Sequence, residues 1–549
     1  MTPRDPFDDR GNERGFDDLI APKQGATSAE KRHEAADAQK ATERRAGRDR
    51  RAASLATPRE RRSGRERRED AVEAESVTRT RGRISSRRAI AIPEGKLAAT
   101  MAVIVGLALI LDLLSGGVSP PEPRNVMAPI LSRALFCPPP LRAGESSGSI
   151  AVGGAAGSAT SMRFEPVGEK LELQEDRSAF FELPTDEPVD VVGLGGIATA
   201  SSMTTFVTPI SGAAAAGCST VAATRWHFAE GSSILGADER IIVYNPLPSE
   251  AVVRVVFYTP SGVKAKANLA QVPVPARSSV GLAVNDFLLR QRVLGATVTA
   301  LRGRVVAWRA LLSKIETRPR GGELSLGART PATKWYFPDG GLGAGYDERI
   351  SILNTNKDEA VLSVALSAGD EVFQPPKLME IKVPPRSARS WSLAAAVGGS
   401  QANVGGVAAV VRSLNGVPVV AERSVSFDSA DQRGLASEVG ATRTAQSWWL
   451  GPATSKPSTD SVIVLSQGTD GALVSLTLID AEGPRAPGAL QDLKVGSFGR
   501  LRIPISKFTG GKPVVVVLTS TGPVVAERVS YSAASEDVAS VMGTPLLTR

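Results

Sequence analysis

Histidine and cysteine are nearly missing from this 549-residue chain, which has two of each. Two histidines cannot build a histidine-ligated metal centre, and two cysteines exclude an iron–sulfur protein and a disulfide-dense secreted scaffold. Aromatic residues are sparse, at 5%. The sequence contains no phosphate loop, no paired-cysteine metal motif and no evident catalytic dyad. Gly340-Gly-Leu-Gly-Ala-Gly345 lacks the spacing of a dinucleotide loop and reads as a surface loop. What the chain does have is enough apolar content, 42%, to build cores, and enough length for three or four domains. Its formal net charge of +8 invites a nucleic-acid reading, so the placement of the charge decides.

Most of that charge precedes one apolar run. Residues 1–96 hold 24 Lys/Arg against 18 Asp/Glu, with Phe7 and Phe16 as their only aromatics, and read as a disordered basic tail. Its end is a collar of Arg79, Arg81, Arg83, Arg87, Arg88 and Lys96 facing the single acid Glu94. Leu97 to Leu114 follows, interrupted only by Thr100 and Asp112, and Ser115-Gly-Gly117 closes it. Eighteen residues at about 1.5 Å each span roughly 27 Å, which predicts a transmembrane helix over 97–117. The collar places the tail in the cytoplasm and the rest of the chain outside, and it gives anionic membrane lipid a cationic contact. The high pI therefore reports topology, and no specific nucleic-acid partner is expected. Residues 118–136 read as a Pro-rich spacer.

Beyond the spacer the chain repeats. Trp226-His-Phe-Ala-Glu-Gly231, Trp335-Tyr-Phe-Pro-Asp-Gly340 and Trp448-Trp-Leu-Gly451 begin three copies. Val305-Val-Ala-Trp-Arg309, Val419-Val-Ala-Glu-Arg423 and Val524-Val-Ala-Glu-Arg528 end them. Runs rich in β-branched residues, parted by Asn-Pro, Pro-Ser-Gly and Arg-Gly turns, predict about seven strands per copy. The expected fold is an all-β ectodomain of tandem immunoglobulin-like β-sandwich modules at 218–328, 329–440 and 441–549, on a membrane-proximal β module at 137–217. Such tandem modules suggest a rigid rod; a three-bladed propeller is disfavoured because each copy is more than twice a blade's length. Cys137 and Cys218, on the oxidising side of the membrane, are expected to form a disulfide.

The Cys-Pro-Pro-Pro element at 137–140, the second cysteine shortly before a Trp-x-Phe-Ala-Glu-Gly start and the Val-Val-Ala-Glu-Arg strand ends resemble the actinobacterial membrane proteins of domain-of-unknown-function family 5719. The resemblance implies a β-rich, envelope-associated surface protein and brings no catalytic or ligand residues with it.

Few residues offer chemistry. Gly144-Glu-Ser146-Ser-Gly148 matches a nucleophile-elbow pattern but follows a proline run, and the sole downstream histidine, His227, sits where the next copy has Tyr336. The triplets Asp238-Glu-Arg240 and Asp347-Glu-Arg349 could ligate calcium, or could pair with an arginine of a neighbouring strand such as Arg309 or Arg423. The second reading is preferred, and no cofactor is expected. The repeat-start aromatics Trp226, Trp335, Tyr336, Trp448 and Trp449 could be a ligand-facing, glycan-stacking surface, but core or module-junction plugs are the preferred reading. The sequence thus predicts a non-enzymatic cell-envelope scaffold or binding protein with an unknown envelope protein or glycan as partner. The alternative is a glycan-binding accessory or enzyme.

Overall fold

The computed structural model describes residues 134–546 apart from 142–145, 155–159, 166, 175, 184–185, 195–196, 207–210, 315–320, 399–404, 429–432, 455–456 and 533–537. The tail, the expected membrane helix and nearly all of the spacer lie outside these residues. Among those described, no helix is long and apolar enough to cross a membrane. The first strand begins at Ala134, three residues inside the stretch expected as spacer.

The fold is all-β, built of small antiparallel sheets. Its strands fall into four groups, here the first to fourth modules, at 134–217, 225–326, 334–439 and 445–545. In the second module Arg225–Phe228, Gly295–Arg302, Ala251–Thr259 and Gly262–Ala265 are neighbours in one sheet. Ser278–Ala283, Ala237–Asn245, Val306–Ser313 and Gly321–Leu326 form the other. The run AVVRVVFYT explains how such a sheet chooses its faces: Val253, Val255 and Phe257 are buried, while Arg254 between them is exposed. Both sheets feed one core, with Ile241 and Val243 of one packed with Val253, Phe257 and Val298 of the other.

Asn245 and Asn354 close equivalent strands with the same set of bonds. Asn245 Nδ2 donates to the carbonyls of Ser249, Val274 and Pro275, and Oδ1 accepts from Leu247 N. Asn354 repeats this with Asp358, Val383, Pro384 and Asn356. Asn354→Ala strands three carbonyls at once, and a stability loss of about 3 kcal/mol in chemical denaturation is expected.

The first module has the same order of connections. Ala134–Cys137, Val189–Leu194, Thr160–Glu165 and Glu169–Leu173 match one sheet of the second module. Ser178–Leu183, Ser146–Gly154, Ile197–Phe206 and Gly212–Gly217 match the other. What the sequence presents as a separate membrane-proximal unit is thus topologically a fourth copy.

The expected rod is corrected to a closed ring. The last strand of each module's second sheet, Gly212–Gly217, Gly321–Leu326, Arg433–Val439 and Val538–Met542, packs on the next, and the fourth packs back on the first. A small cavity between them is lined by residues of all four, among them Ala214, Glu323, Ala436 and Ser540. The reason is steric: these strands are rich in Ala, Gly and Ser, and Ala213 to Ala216 are all buried. Small side chains let four strands approach one axis, where exposed ends of a rod would leave them in water.

Candidate functional site at the module junctions

The two sequence marks of each copy meet in space. Trp226 Nε1 donates to the carbonyl of Val305 at 2.7 Å, Trp335 Nε1 to Val419 at 2.8 Å and Trp448 Nε1 to Val524 at 2.9 Å. The tryptophan that opens a copy therefore clamps the first valine of the motif that ends it. Trp226, Trp335, Tyr336, Trp448 and Trp449 are all buried, which fits the preferred core-plug reading of these aromatics and not the ligand-facing one.

Two residues after each tryptophan a bulky side chain presses on a glycine beyond the inner strand. A Cβ on Gly327 would lie 2.9 Å from the Phe228 ring, and one on Gly440 2.7 Å from the Phe337 ring. In the first module the same two positions are Cys137 and Cys218, joined by a disulfide. The bridge closes an 81-residue interval, for which chain entropy predicts about 4 kcal/mol. The equivalence predicts more: Cys137→Phe with Cys218→Gly, which installs the pair used elsewhere, should melt above Cys137→Ser with Cys218→Ser. Equal melting points for the two double variants would remove the equivalence.

The arginine of each end motif is fully buried. Arg309 pairs with Glu323 of its own module and, at 3.1 Å, with Glu422 of the third. Arg423 pairs with Glu527 of the fourth module at 2.7 Å and with Asp339 at 3.3 Å. Arg500 of the fourth module reaches the same Asp339 at 3.1 Å. Arg528 pairs with Asp460. In sheet register Ile241 faces Arg309, Ile350 faces Arg423 and Val462 faces Arg528. Glu239, Glu348 and Asp460 therefore hold one position, and the third sequence copy, which lacks the Asp-Glu-Arg triplet, keeps its functional acid.

The middle acid of each triplet lies beside an end-motif arginine. Glu239 is buried, and Arg309 is the cation that most favours its ionised form; Glu348 is buried likewise, with Arg423 in that part. Asp238 and Arg240, and equally Asp347 and Arg349, form partly exposed pairs at 3.8 and 3.7 Å. Successive residues of a strand point to opposite faces, so the two carboxylates of a triplet do not converge. Among the described residues no group of three or more His, Cys, Asp or Glu is arranged to hold a metal ion. The glycine of each start follows from the same packing: a Cβ on Gly231 would meet Glu239 Oε1 at 2.8 Å, and a Cβ on Gly340 would collide with Glu348.

The residue before each arginine reads the loop of the preceding module. Glu422 accepts from Ala229 N and Glu230 N, and Glu527 accepts from Asp339 N. In the first module the register places Ser201 and Ser202 at the Glu and Arg positions. The loop facing Ser201 carries Pro452, which has no N–H to give, and Ser201 Oγ donates to its carbonyl at 2.8 Å. In the second module the position is Trp308, fully buried, and the loop of the module before it is Cys137-Pro-Pro-Pro140. A carboxylate stands where the loop offers N–H groups, and a hydroxyl or an indole where prolines have removed them.

Burial pushes the carboxyls of these junctions up: Glu239 and Glu348 to about 8 and Glu422 to about 7, with Glu438 raised well above its ordinary range. His227, whose Nδ1 lies 2.9 Å from Thr297 Oγ1, is pushed down to about 4 by burial and is neutral at pH 7. Among the described residues no carboxylate is paired with it. Ser146 opens a strand, paired with Phe206, and is not at a strand-to-helix turn.

The seam between fourth and first modules is held by fewer charges and contains an open cleft of about 320 Å³. Ser178 N donates to Asp480 O at 3.1 Å, Ser178 Oγ to Ile479 O at 2.7 Å and Arg177 Nη1 to Ala481 O at 2.6 Å. Phe180, Pro452, Glu482 and Lys512 line the opening. Asp480, also in its wall, is buried enough to resist ionisation, but hydrogen bonds from Arg485 and the turn at Glu482 hold its carboxyl below the ordinary range. Sequence reasoning had no signal for this cleft, because it forms only when the ring closes.

Several solved structures show likeness to the chain. The crystal structure of Thermotoga maritima 1070 is 22% identical, covering 20% of this chain and 95% of that one at a TM-score of 0.18. An Anabaena sensory rhodopsin transducer is 20% identical, covering 17% and 96% at 0.14. The Streptomyces avermitilis alpha-L-rhamnosidase complexed with L-rhamnose is 9% identical, covering 70% and 54% at 0.11. No curated protein matches. A family model matches residues 192–334 and 328–545, well over half of the sequence. The chain belongs to the Family of unknown function (DUF5719).

Proposed function

We propose that this protein is a non-catalytic scaffold or binding protein of the cell envelope, anchored by the 97–117 helix with its tail in the cytoplasm and its ring outside. Each module is, in this reading, a sandwich of immunoglobulin-like size. One observation carries it: the repeated acids, arginines and tryptophans are buried, the arginines paired with acids, Arg309 and Arg423 across the junctions, and the tryptophans bonded to backbone carbonyls inside each module, so that the groups best suited to chemistry are spent on the structure. A rigid ring with its reactive side chains turned inward presents loops, sheet faces and one seam cleft to a partner. The enzymatic alternative calls for a carboxyl kept protonated beside a second, ionised one in an open site. Asp480 in the cleft is held below the ordinary range and so could serve only as the ionised member of such a pair.

The test is in-cell crosslinking with a photoreactive residue at Glu482 or Lys512 in the full chain, followed by mass spectrometry. A discrete protein or glycan adduct that disappears when the residue is moved to the buried position Val464 supports the reading. Labelling of bulk lipid alone, at both cleft positions, would sink it.

A further inference from the structure

Charge is unevenly divided among the modules. Residues 218–328 carry 14 Lys/Arg against 7 Asp/Glu, a net of +7, whereas 137–217 carry 4 against 10, a net of −6. Much of the positive excess stands in the open. In the second module Arg254, Thr299 and Arg225 are directly opposite one another on three neighbouring strands. Their neighbours Val253, Val255, Val298 and Trp226 point into the core, so this row points outward. Arg225 and Arg254 are exposed. Two strand spacings, about 10 Å, separate their backbones. In the third module the same row is Ser363, Arg412 and Lys334, with Arg412 exposed and Lys334 half-buried. The fourth module has Ser475, Thr519 and Ser447 there, and the first has Arg163, which pairs with Glu165 at 3.5 Å. The cationic row therefore continues across two adjacent modules and stops. Among the described residues no carboxylate lies within ion-pair distance of Arg225, Arg254 or Arg412, while Arg302 nearby is engaged by Glu250.

We propose that the outer sheets of the second and third modules are a docking face for a linear, phosphate-bearing polymer without bases, such as a sugar-phosphate or polyol-phosphate chain. This deepens the binding-scaffold reading and rests on it. The row runs over two separate sheets. A flexible chain can follow both. Nucleic acid would call for exposed aromatic stacking platforms, and the row itself offers hydroxyl, guanidinium and ammonium groups, the one ring beside it, Tyr336 under Lys334, being buried. Three of its four cations are arginines, whose planar forks grip phosphate oxygens in pairs.

Inorganic polyphosphate serves as the probe, with the full chain as receptor. Arginine-selective modification read by mass spectrometry should show Arg225, Arg254 and Arg412 shielded by polyphosphate, and Arg290 and Arg292, exposed on a loop of the second module, unshielded. The variant R225Q/R254Q/R412Q should keep its melting point and bind at least about tenfold more weakly near 0.1 M salt, with a flatter salt dependence. Shielding confined to residues before 97 would overturn the proposal, as would unchanged affinity in the triple variant. So would tighter binding of polygalacturonate, equal shielding by anionic vesicles or by a single-stranded oligonucleotide, or a footprint that appears on self-association without polymer. A partner captured in the seam cleft together with a failed arginine footprint would leave the scaffold reading standing and remove this one.

Discussion

Arg423→Met is expected to cost about 3–5 kcal/mol and to open the ring between its third and fourth modules. Arg423 has no exposed surface and spends its guanidinium on Glu527 and Asp339, themselves buried. Removing one member of a buried pair leaves uncompensated charge in a dry interior, which costs far more than the pair itself contributes. Adding Glu527→Gln should recover more than half of the loss, because the amide can still accept from Asp339 N and carries no charge. Equilibrium denaturation of the full chain reads both numbers. It also separates a ring from a rod: a closed ring gives one cooperative transition that shifts in the variant, whereas independent modules would give several with only the last ones moved. A loss below about 1 kcal/mol in the single variant would mean that the junction is not closed in solution.

How far the sequence reached depended on which contacts stay inside one copy. Trp226 and Val305 are partners within a module, and both repeat, so their marks were visible as a period before their hydrogen bond was known. The same holds for Asn245 and Asn354. Contacts between modules were not visible, because Glu422 and Ala229 belong to different copies and no spacing links them. The preference for Arg309 or Arg423 as partner of the triplet acids rested on charge alone and agrees with their burial beside those arginines. The first module escaped recognition for a different reason. Leu135 stands in the tryptophan's place, a disulfide replaces the ring-on-glycine contact, and Ser201-Ser202 replace the acid and the arginine; Ala200 alone keeps the shared small residue that Ala307, Ala421 and Ala526 supply elsewhere. The loss of the acid follows from a neighbour, since Ser201 faces Pro452. Prolines at 138–140 and 452 took away N–H groups, and with them the need for a carboxylate. A reader looking for residue identity sees no repeat there, whereas strand spacing and the position of the second cysteine carry the signal.

Between pH 6.5 and pH 8 the ring is expected to lose about 4 kcal/mol of stability, seen as a falling melting point. The carboxyls of Glu239 and Glu348 are pushed up to about 8 and that of Glu422 to about 7, burial being the main cause in each. A carboxyl held above its unfolded value binds a proton more tightly in the folded chain, so its contribution is fully present in acid and is lost as pH rises through the folded value. These three groups, joined in direction by Glu438 and Glu527, therefore weaken the fold as pH rises from about 4.5 to 8. His227 works against them at the acid end: its folded value of about 4 is depressed, and burial of the neutral ring costs stability whenever the unfolded chain would be protonated. Above pH 6.5 it is neutral in both states and drops out, which makes the upper window the clean one. On average about two more protons sit on the folded than on the unfolded chain over that interval, and at about 1.4 kcal/mol per proton per pH step across roughly 1.5 steps they give the stated loss. Arg423→Met sharpens the test, since without the cation Glu348 should hold its proton to still higher pH and the cost of the substitution should be smaller at pH 5 than at pH 8. A melting point unchanged from pH 6.5 to pH 8 would show that these carboxyls are already ionised in the ring, and that the junctions reach water or a counter-ion instead of being dry.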